Sequence, residues 1–302
     1  MIEKVARFGD ARSIVGILTE PQERRRPSRL PSVILLNAGF IHRVGPNRIH
    51  VKLARKLALP GFCTLRLDLS GIGDSERRND NMPCEISSVH ETQQAMDYVE
   101  STQGIGRFLL AGICSGANVA VATACHDKRV VGVAAVNGTF MDKTQPHHIN
   151  RFLENSIRRR YYRKYFLDPH RWRKLLAGKT HRHGLVKSFI GRMQDRHATH
   201  PPCVPLQIDA SAECRLLLDR GVSLFLIYSE GSSALDAFHL TLEPGLAPRR
   251  SSPKLTIEIV KDADHVFTLL WSQELLIDLI RQWACRTWTE PVRSDLHERV
   301  CK

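Results

Sequence analysis

No stretch of this sequence comes near the roughly 20 consecutive apolar residues that a helix needs to cross a bilayer, so no membrane span is expected. The opening MIEKVARFGDAR lacks the apolar centre of a secretory leader, and the cytoplasm is the expected compartment. Eight cysteines are present, scattered at 63, 84, 114, 125, 203, 214, 285 and 301, and no two form a C-x-x-C pair. That spacing signals neither a zinc site nor a disulfide framework, and it suits free thiols in a reducing compartment. No internal repeat is present. No metal and no cofactor are expected.

At 302 residues the chain is long enough for one large domain with an insertion. A chain of that size hides roughly 75% of its unfolded surface. Most of the +13 net charge comes from one stretch: His147 to His200 holds 14 Lys and Arg against 3 Asp and Glu, a local +11. A nucleic-acid binder with a uniformly basic surface would spread its charge. The pattern indicates a charged insertion on a near-neutral body, and no nucleic-acid partner is expected.

Apolar runs and helical periodicities alternate through the first half of the chain. Strands are expected at Ser13–Thr19, Ser32–Asn37, Phe62–Leu69, Phe108–Ala111 and Val130–Val136, with helices at Asn47–Leu59, Glu85–Thr102 and after Gly116. Pro21–Pro31 reads as a loop. Such alternation implies an α/β fold, a mostly parallel sheet flanked by helices. The alternation stops near residue 141. Residues 141–207 contain no strand-like run and read as a basic helical cap, with helices at Ile149–Phe166 and Trp172–Met193. The core is therefore expected to comprise 1–140 and 208–302. Its second part carries a helix at Ala210–Arg220, a strand at Val222–Tyr228, a helix at Ser232–Leu240, an edge strand at Leu255–Val260 and a closing helix at Leu269–Trp283.

Between the strand Phe108–Ala111 and its following helix lies Gly112-Ile113-Cys114-Ser115-Gly116. This is the G-x-S-x-G nucleophile elbow with cysteine in place of serine. A sharp strand-to-helix turn lifts one side chain above the sheet, and the flanking glycines let backbones approach. The elbow sits at a helix N-terminus, which favours negative charge and depresses cysteine pKa values in general. An inert packing cysteine is the competing reading; the strand-before, helix-after setting favours the elbow. A nucleophile needs a base. His265, in KDADHVF just after the last strand, would lie at the strand's C-terminal end, where open α/β sheets place their sites.

Four features together resemble the α/β-hydrolase superfamily: the Asn37-Ala38-Gly39-Phe40 turn, the DLSGIGDS loop from Asp68 to Ser75, the elbow, and the late Asp264-His265. More loosely the chain is similar to serine-aminopeptidase-like and exosortase-associated bacterial hydrolases. The resemblance implies an oxyanion hole built from the Phe40 and Ser115 amides and a structural role for the Asp68 loop. It also implies a carboxylate near 231 or 232 to orient His265, and neither position is acidic. Glu230 and Asp236 are the alternatives, with Asp142 behind them and a simple Cys-His dyad remaining open. Cysteine at the elbow resembles dienelactone hydrolases and acyl-transferring polyester synthases. The implied activity is hydrolysis of an ester or thioester by Cys114 and His265. An acyltransferase using the same site, or a binding protein that has lost the chemistry, are the other readings. The basic cap points to an anionic small-molecule acyl substrate or to an acidic carrier protein.

Overall fold

The computed structural model describes residues 1–22, 30–140 and 210–289. The strands are β1 (Ile2–Phe8), β2 (Ile14–Glu20), β3 (Ser32–Leu36), β4 (Thr64–Asp68), β5 (Phe108–Ile113), β6 (Val130–Val136), β7 (Ser223–Ser229) and β8 (Leu255–Val260). The main helices are α1 (Ile49–Ala58), α2 (Cys84–Gln103), α3 (Ser115–His126), α4 (Ala210–Asp219), α5 (Ser233–Ala237) and α6 (Leu270–Trp288). Residues 141–207, where the basic cap was expected, lie outside the described residues, as does Asp142.

Together the strands form one eight-stranded sheet in the order β1-β2-β4-β3-β5-β6-β7-β8. From β4 to β8 every pairing is parallel, whereas β1–β2 and β2–β4 are antiparallel. The apolar runs SVILL, FLLAGI and SLFLIYS become β3, β5 and β7, each buried along its whole length. A strand covered on both faces needs no polar alternation. β1 was not foreseen. Its IEKVARF is an edge strand exposed at five of seven positions, so it carries no apolar run to betray it. The expected helix at Ser232–Leu240 is α5 followed by a wider helical turn at Phe238–Leu242.

Successive strand residues point to opposite faces, and two cores result. On one face Ile34, Leu110 and Leu224 meet Met96 of α2, Val121 of α3 and Leu217 of α4. On the other, Leu35, Leu109 and Phe225 meet Leu53 of α1 and Ile277, Ile280 and Trp283 of α6.

His50 of α1 is buried in this second layer, and its Nδ1 has no hydrogen-bond partner among the described residues. A cavity of about 10 Å³ adjoins it, lined also by Ala111 and Gly112 beneath the elbow. Burial, with the nearby Arg66 charge adding to it, pushes the His50 pKa down to about 4 from 6.5. Between those values the unfolded chain binds a proton that the folded chain does not, so stability rises with pH across the window and is lost as pH falls through it. The full span is worth about 3 kcal/mol. Urea unfolding at pH 7 and pH 4 is expected to show this loss in the natural chain and a smaller loss in His50→Leu.

Candidate active site

Cys114 adopts φ 58°, ψ −118° at the junction of β5 and α3. Non-glycine residues rarely hold positive φ, at a cost of about 1–3 kcal/mol. Three contacts enforce the turn. The Cys114 N–H donates to Val136 O at 2.8 Å, carrying the β5–β6 pairing into the bend. A Cβ on Gly112 would come within 2.2 Å of the Gly116 backbone, so strand and helix can touch only without side chains there. A Cβ on Gly116 would sit 2.5 Å from Asn37 O of the loop after β3. The G-x-C-x-G spacing is therefore needed for backbone approach on both sides of the cysteine. Its side chain is partly exposed, at the N-terminus of a twelve-residue helix.

Ser115 is tied elsewhere. Its Oγ accepts from the Gly39 N–H at 2.8 Å, joining the elbow to the loop after β3. In that loop Ile41 N–H donates to Ala38 O, closing a turn whose corner carries Phe40, 95% exposed. The amides of Phe40 and Ser115 find no acceptor among the described residues, which leaves both as available donors.

The same loop is anchored from below by the buried Asp68 carboxylate at the end of β4. Asp68 accepts from the Arg43 backbone and guanidinium, from Asn37 Nδ2 at 3.3 Å and from the Asp74 N–H at 3.3 Å. Arg43 also reaches Asp74 at 2.6 Å. Burial opposes the Arg43 charge, but hydrogen bonds to Asp74 and Asp68 outweigh it, and its pKa is raised. Gly73, at φ +55°, lies so close to Asp68 that a Cβ would overlap its carboxylate at 2.2 Å. The loop from Asp68 to Ser75 is thus a clamp beneath the turn that presents Phe40.

His265 follows β8, three strands from β5 in the sheet. Asn137, immediately after β6 and fully buried, draws it back. Asn137 Nδ2 donates to His265 O at 2.8 Å and to Ser229 Oγ at 2.9 Å, while its Oδ1 accepts from Ser229 N–H at 2.8 Å. Since Val136 O holds the Cys114 amide, only the Val136–Asn137 linkage separates the anchors of the two loops. No hydrogen bond joins Cys114 Sγ to the imidazole among the described residues. Burial lowers the His265 pKa, against a smaller upward pull from Asp264.

The hydrogen-bond partner of the ring is neither of the carboxylates expected from the sequence. The partner of His265 Nδ1 is Ser232 Oγ, at 2.7 Å. Glu230 is instead placed where its Oε2 accepts from the Asp262 N–H at 3.1 Å, and Asp236 lies in the first turn of α5. The reason is local: the residue after Gly231 is the N-cap of α5, and its side chain faces the loop after β8. Asn137 was not foreseen, Asn37 was read only as part of the turn after β3, and position 232 only as lacking the expected carboxylate. The available signal was an asparagine directly after β3 and β6 and a serine three residues past the end of β7.

A cavity of about 380 Å³ lies apart from these residues, lined by Asp10, Ser70, Arg77, Arg78 and Asp80 among others. Within it Arg78 pairs with Asp80 and also reaches Glu91. No group of His, Cys, Asp and Glu among the described residues could hold a metal ion. No helix among them is long and apolar enough to cross a membrane.

A mostly parallel sheet, a cysteine elbow after β5 and a histidine after the last strand define an α/β-hydrolase architecture. Residues 33–276 match the model of the alpha/beta hydrolase family, and the chain belongs to that family. Among solved structures it is similar to an esterase of Pyrococcus furiosus (15% identity, 96% of this chain and 91% of that one, TM-score 0.58). It is also similar to a dienelactone hydrolase from Anabaena variabilis (13%, 95% and 98%, TM-score 0.55). A proline iminopeptidase of Mycobacterium smegmatis aligns comparably (16%, 94% and 98%, TM-score 0.56). At these identities the likeness shows the fold. Among curated protein sequences none matches.

Proposed function

We propose that the protein hydrolyses an activated acyl compound, a thioester or an ester with a good leaving group, through an acyl-enzyme on Cys114. The observation that carries this reading is the strained elbow at Cys114 joined through Val136–Asn137 to the loop of His265. His265 Nε2 takes the thiol proton as Sγ attacks the acyl carbon, and the Phe40 and Ser115 amides hold the oxyanion. The C–S or C–O bond to the leaving group then breaks, and the proton returns from Nε2 to that group. Water attacks the acyl-enzyme by the same route and frees Cys114.

Cysteine narrows the substrate. Thiolate departs more readily than alkoxide, so an intermediate formed on an ordinary alkyl ester collapses backward. A thioester or enol-lactone matches the sulfur as a leaving group. The basic stretch His147–His200, outside the described residues, favours substrates whose remainder is anionic, a carboxylate or an acidic carrier protein among them. The kcat/KM for an acyl thioester is expected to exceed that for the matching alkyl ester by at least about tenfold. Equal or reversed values would remove the argument from leaving group. Release of free acid identifies hydrolysis; product on an added alcohol or amine identifies acyl transfer.

A further inference from the structure

The imidazole of His265 is held by a neutral group. Ser232 Oγ lies 2.7 Å from Nδ1, the serine being 1% exposed and the ring partly buried. The same oxygen accepts from the Ala234 N–H at 3.1 Å as the N-cap of α5, which fixes the direction of the side chain. Asp264, the acidic group whose charge acts on the ring, has its Oδ1 engaged by the Thr268 N–H at 2.8 Å. Glu230, on the neighbouring loop, accepts from Asp262 N–H.

Building on the reading of Cys114 and His265 as nucleophile and base, we propose that Ser232 is the positioning residue of the site, orienting His265 through its hydroxyl without placing a negative charge against the ring. A hydroxyl offers one proton and two lone pairs. The Ala234 amide uses one lone pair, which leaves one donor and one acceptor for Nδ1. When Nε2 carries the ring proton, Ser232 donates to Nδ1. When Nδ1 carries it, Ser232 accepts, and Nε2 is free to take the proton of Cys114. As the Sγ–H bond breaks and Nε2–H forms, the electron pair stays on sulfur, and the imidazolium keeps its hydrogen bond at Nδ1.

Among the described residues the imidazolium has no buried counter-charge, Asp264 being exposed. Burial of the ring disfavours the protonated form in the same direction. The result is a weak base, adequate for a thiol and poorly suited to an alcohol, whose proton is far less acidic. The cysteine at the elbow and the hydroxyl at 232 therefore form a matched pair.

The test is a direct titration of the His265 ring by NMR in the natural chain and in three variants, beside the pH profile of thioester turnover. Ser232→Asp keeps a good N-cap for α5 and adds the missing charge. It is expected to raise the ring pKa by about one to three units and to move the acid limb of the profile by the same amount. Ser232→Thr retains the hydroxyl and is expected to titrate as the natural chain and to recover most of the kcat that Ser232→Ala loses. Ser232→Ala is expected to lower kcat about tenfold, roughly the worth of one hydrogen bond, with KM unchanged. An unshifted titration in Ser232→Asp, or full kcat with an unchanged profile in Ser232→Ala, would overturn the proposal. The titration needs no substrate, so a shifted ring pKa in a chain that turns over no acyl compound sinks the proposed function while leaving the Ser232–His265 coupling standing.

Discussion

Replacing Cys114 by alanine is expected to reduce thioester turnover by about a thousandfold or more, which leaves only what binding and the oxyanion donors supply. That factor corresponds to roughly 4 kcal/mol of transition-state stabilisation. The fold is expected to survive, because alanine keeps the Cβ and the partly exposed site loses one sulfur atom. Melting temperature should therefore stay close to that of the natural chain while activity disappears. Cys114→Ser is the more instructive variant. It keeps shape and position but asks a weak base to remove a much less acidic proton, so it is expected to be nearly as inactive as the alanine variant. Adding Ser232→Asp to it restores the charge that a serine nucleophile requires, and part of the activity should return. Stopped assays with a chromogenic thioester, paired with thermal melts, separate lost chemistry from lost structure. Full activity in Cys114→Ala would remove the nucleophile from the account.

The second large effect concerns stability. Asp68→Ala is expected to destabilise the fold by about 3–5 kcal/mol, the range for breaking one side of a buried ion pair. The carboxylate is entirely buried, whereas its Arg43 partner is mostly so. Its removal leaves Arg43 paired with the exposed Asp74 alone among the described residues and takes the acceptor from the amides of Arg43 and Asp74, while Asn37 Nδ2 keeps its bond to Ile41 O at 2.9 Å. Asp68→Asn keeps an acceptor but no charge, and the loss should be smaller. Both substitutions loosen the turn that presents the Phe40 amide, so kcat is expected to fall more than KM changes. Urea titration gives the first number and steady-state kinetics the second. A stability equal to that of the natural chain would show that the clamp contributes nothing.

The elbow was legible because its spacing is a backbone requirement: Gly112 and Gly116 cannot carry a Cβ, whatever the substrate. The central strands were legible because burial on both faces leaves an unbroken apolar run. β1 was hidden by its exposure at the edge. Ser232 was hidden for a chemical reason: the family resemblance implies a carboxylate near 231 or 232, and a hydroxyl is what stands 2.7 Å from His265 Nδ1. Asn37 and Asn137 resemble ordinary turn residues in one dimension. Only the folded chain shows each binding the end of a neighbouring strand: Asn37 receives Leu69 N–H at 2.8 Å and Asn137 receives Ser229 N–H at 2.8 Å. Their sequence separation from those partners exceeds the reach of any local pattern.

The most direct measurement is the mass of the protein quenched in acid during turnover of a slowly hydrolysed acyl thioester. The account predicts one acyl group per chain, mapped by peptide sequencing to Cys114 and missing from Cys114→Ala. An acyl group on another residue, or steady turnover in a chain whose Cys114 is never acylated, would contradict it.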